Sequence, residues 1–342
     1  MPAYGPDSMI ERDFIGYGEH MPDPKWPGGA RIAVNFNLNV EGGGEATLAN
    51  GDPVSEGMLN DIGVDTQVGR RVPLVESLFE YGSRRGAWRI LDVFGRFDVK
   101  MSVLGVARGL EHNPALARAF VQRGHEMVSH GYRWVDYGEV EEEVEREHLA
   151  KAVDILETLT GSRPLGWMTG RPGHNTRRLV MEEGGFLYDR DSLSDELPYW
   201  VEGPYGPHLV IPYSYETNDN RFNENSGFST ADHFFQYMRD AFDTLYQEGE
   251  AGSPKLLSIG LHDRLIGRPG RIQGLVRLLE HMKKHEGVWF CRGIDIAQHW
   301  HANFKRPEQT LAQDLSRSMT PALPDRRPRW RCSTFRHKNS IT

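Results

Sequence analysis

The chain has 342 residues, of which 38% are hydrophobic, 26% charged and 10% aromatic, with a formal net charge of −8. That length can bury a substantial core as one large unit, and that composition is of an ordinary soluble protein rather than a disordered or fibrous one. The negative balance argues against a general nucleic-acid binder, which needs a basic face to neutralise phosphates, and two cysteines, Cys291 and Cys332, supply neither a disulfide framework nor a cysteine zinc site.

In chain order, the N-terminal stretch MPAYGPDSMIERDF lacks the basic and apolar regions of a signal peptide, and no apolar run is long enough to span a bilayer. The expectation is a cytoplasmic protein with no membrane partner. RIAVNFNL (31–38) is β-rich, RVPLVESLFEYGSRRG (71–86) has helical spacing with glycines at its end, and VKMSVLGVA (99–107) is strand-like again. The alternation continues with a helix at 114–123, a strand in HEMVSH and an acidic helix from Glu139 to Leu159. The strand LGWMTG, the helix NTRRLVMEEGG and the strands FLYDR and HLVIPY follow. Next come the helix ADHFFQYMRDAFDTLYQEG, the strand KLLSIGLH, the helix RIQGLVRLLEHMKKH, the strand VWFCR and the helix GIDIAQHW. Such units, without a nucleotide-type glycine motif, predict an α/β fold: a distorted (β/α) barrel of about seven strands rather than a doubly wound sheet. The run EVEEEVEREH carries valines and Leu149 at helical spacing and reads as a solvated helix face. Three segments follow: an N-terminal extension (1–30) packed on the barrel, a catalytic barrel (31–302), and a basic, proline-containing tail (303–342) that reads as a loosely ordered arm.

A barrel gathers the C-terminal ends of its strands into one mouth. Polar residues stand at four such ends: Asn37, Asn39 and Glu41 after the first strand, His130 closing the HEMVSH strand, Arg171 in GWMTGRPGHNTRR, and His262 closing KLLSIGLH. Taken singly, a strand-end histidine is more often a hydrogen-bonded structural residue than a catalytic one, an asparagine there more often a loop cap, and Arg-Pro-Gly a turn. Their convergence on one mouth is what points to a site.

Long stretches of the chain carry a resemblance: WPGGARIAVNFNLNVEGGGE, GHEMVSHGYRWVDY, TGRPGHNTRRLV, PYSYETNDNRF and LLSIGLHDRLIGRPGR. Their order resembles the polysaccharide deacetylase (NodB-homology) superfamily, and within it the branch of metal-independent allantoinases and cyclic-amide hydrolases. The resemblance implies a distorted (β/α) barrel. Where metal-dependent deacetylases carry two aspartates, this chain has Asn37 and Asn39, and where their second histidine stands, four residues after His130, it has Trp134. Amides are poor zinc ligands and an indole is none, so the expectation is no tightly bound metal, with room only for a weakly held divalent ion.

Amides at the mouth would suit a neutral ring with alternating C=O and N–H groups. Hydrolysis of such a ring needs an activated water, oxyanion stabilisation and a proton for the leaving nitrogen. Glu41 is the candidate base or the group that orients a histidine in that part, and His130 handles the water proton or binds the carbonyl. For His262 the resemblance implies a proton donor to the leaving group. Arg171 is cast to orient Glu41 or steady the oxyanion, and Trp134 as a flat wall for the ring or as plain core. Asn218 and Asp219 read as substrate contacts or loop structure. His174 departs from the branch's usual pattern and puts an imidazole near the mouth; Asp263 departs too. The expected activity is hydrolysis of a non-peptide C–N bond in a small cyclic amide or ureide, allantoin foremost. The alternatives are a metal-dependent carbohydrate N-deacetylase and a non-catalytic ligand-binding member. The resemblance also implies a homo-oligomer, up to a tetramer.

Overall fold

The computed structural model describes residues 12–224 and 227–305, so most of the basic tail, from residue 306 on, lies outside the described residues. The strands are β1 (Ile32–Val40), β2 (Val54–Ser55), β3 (Gln67–Val68), β4 (Ser102–Gly105), β5 (Glu126–Ser129), β6 (Gly166–Trp167), β7 (Tyr188–Asp189), β8 (Tyr199–Val201), β9 (His208–Val210), β10 (Lys255–His262) and β11 (Val288–Phe290). The α-helices are α1 (Pro73–Tyr81), α2 (Ala87–Phe97), α3 (Ala107–His112), α4 (Pro114–Gln122), α5 (Glu142–Thr160), α6 (Thr176–Glu183), α7 (Ala231–Glu250), α8 (Pro269–Met282) and α9 (Gly293–Asn303).

Nine strands form one curled sheet in the order β10, β1, β4, β5, β6, β7, β9, β8, with β11 beside the first half of β1. Every pairing is parallel except β8 on β9. The result is the curled half-barrel of an α/β fold. It stays open because no ladder among the described residues joins β8 or β9 to β10. Strands β2 and β3 form a separate antiparallel hairpin that the sequence pattern did not reveal, nor did it reveal β8 or α3. No helix among the described residues is long and apolar enough to cross a membrane.

The period-2 geometry of β1 sets up everything that follows. All nine of its residues are buried, because one face meets helices and the other meets the barrel interior. Ile32, Val34, Phe36, Leu38 and Val40 pack with Phe94 of α2, Phe242 of α7 and Leu279 of α8 in one apolar cluster. Asn35, Asn37 and Asn39 take the opposite, inward parity. In β10, Leu257, Ile259 and Leu261 join the same outer cluster, which gives Ser258, Gly260 and His262 the inward parity.

The glycines that look like a helix stop at 82–86 are not one. The chain passes from α1 through a π-helical turn, Gly82–Gly86, straight into α2. A Cβ at Gly86 would fall 1.9 Å from the backbone oxygen of Asp263, and one at Gly82 would fall 2.3 Å from its carboxylate. Both glycines therefore serve a close approach of the helix to the segment that follows β10, and π-turns of this kind gather at functional sites.

Within residues 12–30, Phe14 and Ile15 are exposed, while Tyr17 and Trp26 make contacts with the rest of the chain. Trp26 is buried, donates from its indole N–H to the Lys255 carbonyl (3.1 Å) and lies against Trp289 and Trp300.

Candidate active site

Glu41 follows β1 directly, His130 follows β5, and His262 ends β10, so all three sit at C-terminal strand ends. The Nε2 atoms of both histidines face the same carboxylate oxygen: Glu41 Oε1 is 3.4 Å from His130 and 3.6 Å from His262. The other oxygen, Oε2, accepts from Arg264 Nη1 at 2.5 Å. The four side chains are nearly inaccessible to solvent. Burial alone would push the Glu41 carboxyl up, but the Arg264 guanidinium and the two imidazoles outweigh it and hold the group well below the usual carboxylate range.

The Nδ1 atoms fix the tautomers. His130 Nδ1–H donates to the Met168 carbonyl (2.7 Å), and His262 Nδ1–H donates to Asp219 Oδ1 (2.6 Å). Each Nε2 is thereby the nitrogen available to exchange a proton. Asp219 is fully buried, and its second oxygen accepts from the backbone N–H of His262 (2.8 Å) and of Ile266 (3.0 Å). It orients the imidazole and balances its charge when the ring is protonated. Asp219 opens a 3₁₀ turn, Asp219–Asn223, which Asn218 caps with its side-chain oxygen.

Arg171 has no hydrogen bond to Glu41 and so does not fill the first of its two expected roles, orienting that carboxylate. Its guanidinium pairs with Glu56 (3.0 Å), donates to the Trp134 carbonyl (2.6 Å) and lies 4.3 Å from the Trp134 ring. Arg264 takes the part expected of Arg171. Trp134 is buried in an apolar cluster with Val75, Phe79 and Val106, and Arg264 and Phe79 lie 5.3 and 5.9 Å from its ring, which is the plain core packing expected as the alternative to a ligand wall. Its backbone bridges Glu45 and bonds to Gly44, tying the glycine loop after β1 to the loop after β5. Gly42 in that loop is obligatory, since a Cβ there would lie 2.6 Å from the Phe79 carbonyl.

The amides also sit elsewhere than expected. Asn37 is fully buried beneath the mouth and donates to Ser258 Oγ (3.2 Å) and the Asn35 carbonyl (3.2 Å), while Asn39 donates to Tyr213 Oη and the Leu261 carbonyl, both at 2.9 Å. Their amide N–H groups cross-link strands inside the barrel, while Asn37 Oδ1 is buried without a partner. Asn218 donates to Tyr213 Oη (3.0 Å) and the Ser214 carbonyl (3.2 Å), so it too builds the loop. His174 is exposed and interacts electrostatically with Glu145 of α5. A cleft of about 1610 Å³, walled by Tyr17, Trp200, Tyr213 and Tyr237, contains none of Glu41, His130, His262 and Arg264.

Sequence reasoning missed Arg264 and the part of its neighbour Asp263. Asp263 is fully buried, and neither of its carboxylate oxygens has a hydrogen-bond partner. Burial pushes its carboxyl up to about 7, with the Glu41 charge adding to the effect and Arg264 opposing it. Arg264 Nη2 is likewise buried without a partner, which leaves one donor of the guanidinium unspent. The site does not fit a divalent ion of the deacetylase kind. Trp134 offers no ligand atom, and among the described residues Glu41, His130 and His262 do not bring their ligand atoms within 4.8 Å of one another, as a shared ion would require.

Known proteins share this architecture. The profile of the polysaccharide deacetylase family matches residues 68–184. A putative polysaccharide deacetylase of Schizosaccharomyces pombe is 40% identical over 310 residues, covering 85% of this chain and 97% of its own. Among solved structures, PuuE allantoinase superposes with a TM-score of 0.85 at 55% identity, and a probable polysaccharide deacetylase from Pseudomonas aeruginosa PAO1 with 0.84 at 53%. In both cases the match covers 86% of this chain and 99% of the other. A relative this similar along nearly its whole length, together with the same curled parallel sheet, means that the chain belongs to the polysaccharide deacetylase (NodB-homology) family.

Proposed function

We propose that this protein hydrolyses a non-peptide C–N bond in a small cyclic amide or ureide, allantoin foremost, without a tightly bound metal. One observation carries the reading: a single ionised carboxylate oxygen, Glu41 Oε1, faces the exchangeable nitrogens of two histidines while Arg264 holds the other oxygen. Similarity to PuuE allantoinase supports it.

In this reading the oxygen of a water bonds to a ring carbonyl carbon, and one of the water protons passes to His130 Nε2. The tetrahedral oxyanion then collapses, the ring C–N bond breaks, and His262, which enters the step as the imidazolium balanced by Asp219, gives its Nε2 proton to the leaving nitrogen. Glu41 is too weak a base to take the water proton itself, because its neighbours hold its carboxyl so low. It orients the two imidazoles and balances their charge instead. The unspent Arg264 Nη2 donor is the candidate partner of the oxyanion. A small-molecule substrate, a homo-oligomeric assembly up to a tetramer and a cytoplasmic location go with this reading.

The second reading is a metal-dependent carbohydrate N-deacetylase, favoured by the names of two of the relatives and opposed by Trp134 and by the spacing of the Glu41, His130 and His262 ligand atoms. The deciding experiment is turnover of allantoin by exhaustively chelated protein, followed as allantoate. Undiminished turnover supports the metal-free reading. Activity on an N-acetylated sugar that appears only when zinc is restored would replace it with the second. No activity on either substrate, with ligand binding retained, would point to a non-catalytic member.

A further inference from the structure

At the other end of the barrel, α7 and α8 bring together a second set of chemically capable side chains. Asp243 of α7, His281 in the last turn of α8 and His285 just beyond it each offer one ligand atom, and the three atoms lie within 4.8 Å of one another. His281 and His285 are brought together by the turn that ends α8, in which the His285 N–H bonds back to the Met282 carbonyl (3.1 Å). The location is set by neighbouring contacts. Arg31, directly before β1, pairs with Glu250 at the end of α7 (3.1 Å), and Tyr246 Oη donates to the Glu286 carbonyl (2.8 Å). The cluster therefore lies near the N-terminal ends of β1 and β10, whereas Glu41 and His262 lie at the C-terminal ends, about 23 Å away along a strand of this length.

We propose that Asp243, His281 and His285 form a site for a divalent transition metal of the zinc class, clamping α7 to α8 at the face of the barrel opposite the candidate active site. Two imidazoles and one carboxylate are the donor set such ions prefer, and a fourth position is left for water. The hydrogen bonds already in place prepare the ligands. His285 Nδ1–H donates to the His281 carbonyl (3.0 Å), which leaves His285 Nε2 as the nitrogen that keeps its lone pair. His281 Nε2 lies 2.6 Å from Asp243 Oδ1, so the metal replaces the proton those two atoms share. The rings are held by an aromatic cradle: Phe242 is 5.8 and 5.1 Å from His281 and His285, and Tyr246 is 5.0 Å from His285. All three ligating residues are half-buried, and Asp243 and His285 line a cleft of about 600 Å³ that gives an ion a way in. A tetrahedral ion with bonds of about 2 Å sets its ligands a little more than about 3 Å apart, so small rotations of these side chains complete the site.

A plain His281–Asp243 ion pair would account for two of the three residues and predicts no metal affinity. The test is a calorimetric titration of Zn²⁺ into the full chain, made without a polyhistidine tag and stripped by chelation. His285→Ala and Asp243→Asn are compared with wild type and with His262→Ala. The expected result is one zinc equivalent whose affinity falls about tenfold or more in His285→Ala and in Asp243→Asn and is unchanged in His262→Ala. Zinc should also raise the thermal midpoint of wild type and of His262→Ala but not of the two cluster variants. The proposal is overturned by the absence of zinc binding to wild type, by equal binding in all variants, or by loss only in His262→Ala, which would assign the ion to the mouth of the barrel. Folding of each variant is checked by circular dichroism. The outcome is independent of whether allantoin is the substrate.

Discussion

Arg264 Nη1 stands 2.5 Å from Glu41 Oε2, and both side chains are buried. Removing one partner of a buried pair leaves the other charge uncompensated, which is far more damaging than replacing the pair as a whole. Arg264→Met is therefore expected to destabilise the protein by about 3 kcal/mol, read from urea unfolding at neutral pH. Turnover should fall as well, because the guanidinium holds Glu41 and supplies the spare donor. A variant with wild-type stability and turnover would mean that neither part is real.

The site was legible only where its residues were chemically unusual for a strand end. His130 and His262 could be seen as convergent because a parallel sheet collects strand ends, and Glu41 because it was the carboxylate beside them. Arg264 could not, since an arginine two residues past a strand looks like any surface cation. Its burial depends on Phe79 and Trp134, whose approach to it is a tertiary fact. The amides misled for a related reason. Parity told that Asn37 and Asn39 share a face, but not how deep in the barrel that face closes, and the structure places them below the mouth bonded to other strands. The alternating strands and helices were readable from hydrophobic period, whereas β3 and β8 were not read.

Asp219→Asn should separate orientation from folding. The carboxylate holds His262 through both its ring and its backbone N–H, and an amide can satisfy one of these contacts but turns a donor toward the other or toward Ile266. The expected outcome is a fall in kcat by about two to four orders of magnitude with KM little changed. His262→Ala should match that loss, and the double variant should be no worse than either single one. Additive losses would show that the two residues do not act as a unit.

Asp263 yields a pH prediction of definite sign. Its carboxyl titrates at its ordinary value of 3.8 when unfolded and at about 7 when folded. Between those values the folded protein keeps a proton that the unfolded chain has released, so stability falls as pH rises through this window and the loss is complete above it. Asp263→Asn removes the dependence. The stability of the variant relative to wild type is expected to rise by roughly 2–4 kcal/mol between about pH 4 and about pH 8. Urea midpoints measured across that range check it, and parallel profiles for the two proteins would mean that Asp263 stays ionised in the fold.

Gly86→Ala tests whether the π-turn supports the site from behind. The added Cβ would meet the Asp263 backbone oxygen at 1.9 Å, a rigid atom that a side-chain rotation cannot move aside. Either the turn or the segment His262–Asp263–Arg264 has to shift, and that segment carries two of the three groups around Glu41. The substitution is expected to cost about 3 kcal/mol or more and to lower turnover although Gly86 touches no reacting group. Gly95→Ala in α2 is the matched control, because its Cβ would enter open space. It should be neutral or stabilise by up to about 1 kcal/mol, with turnover intact. If Gly86→Ala lost stability but kept full turnover, the π-turn would serve packing alone and the site would be held from the barrel side.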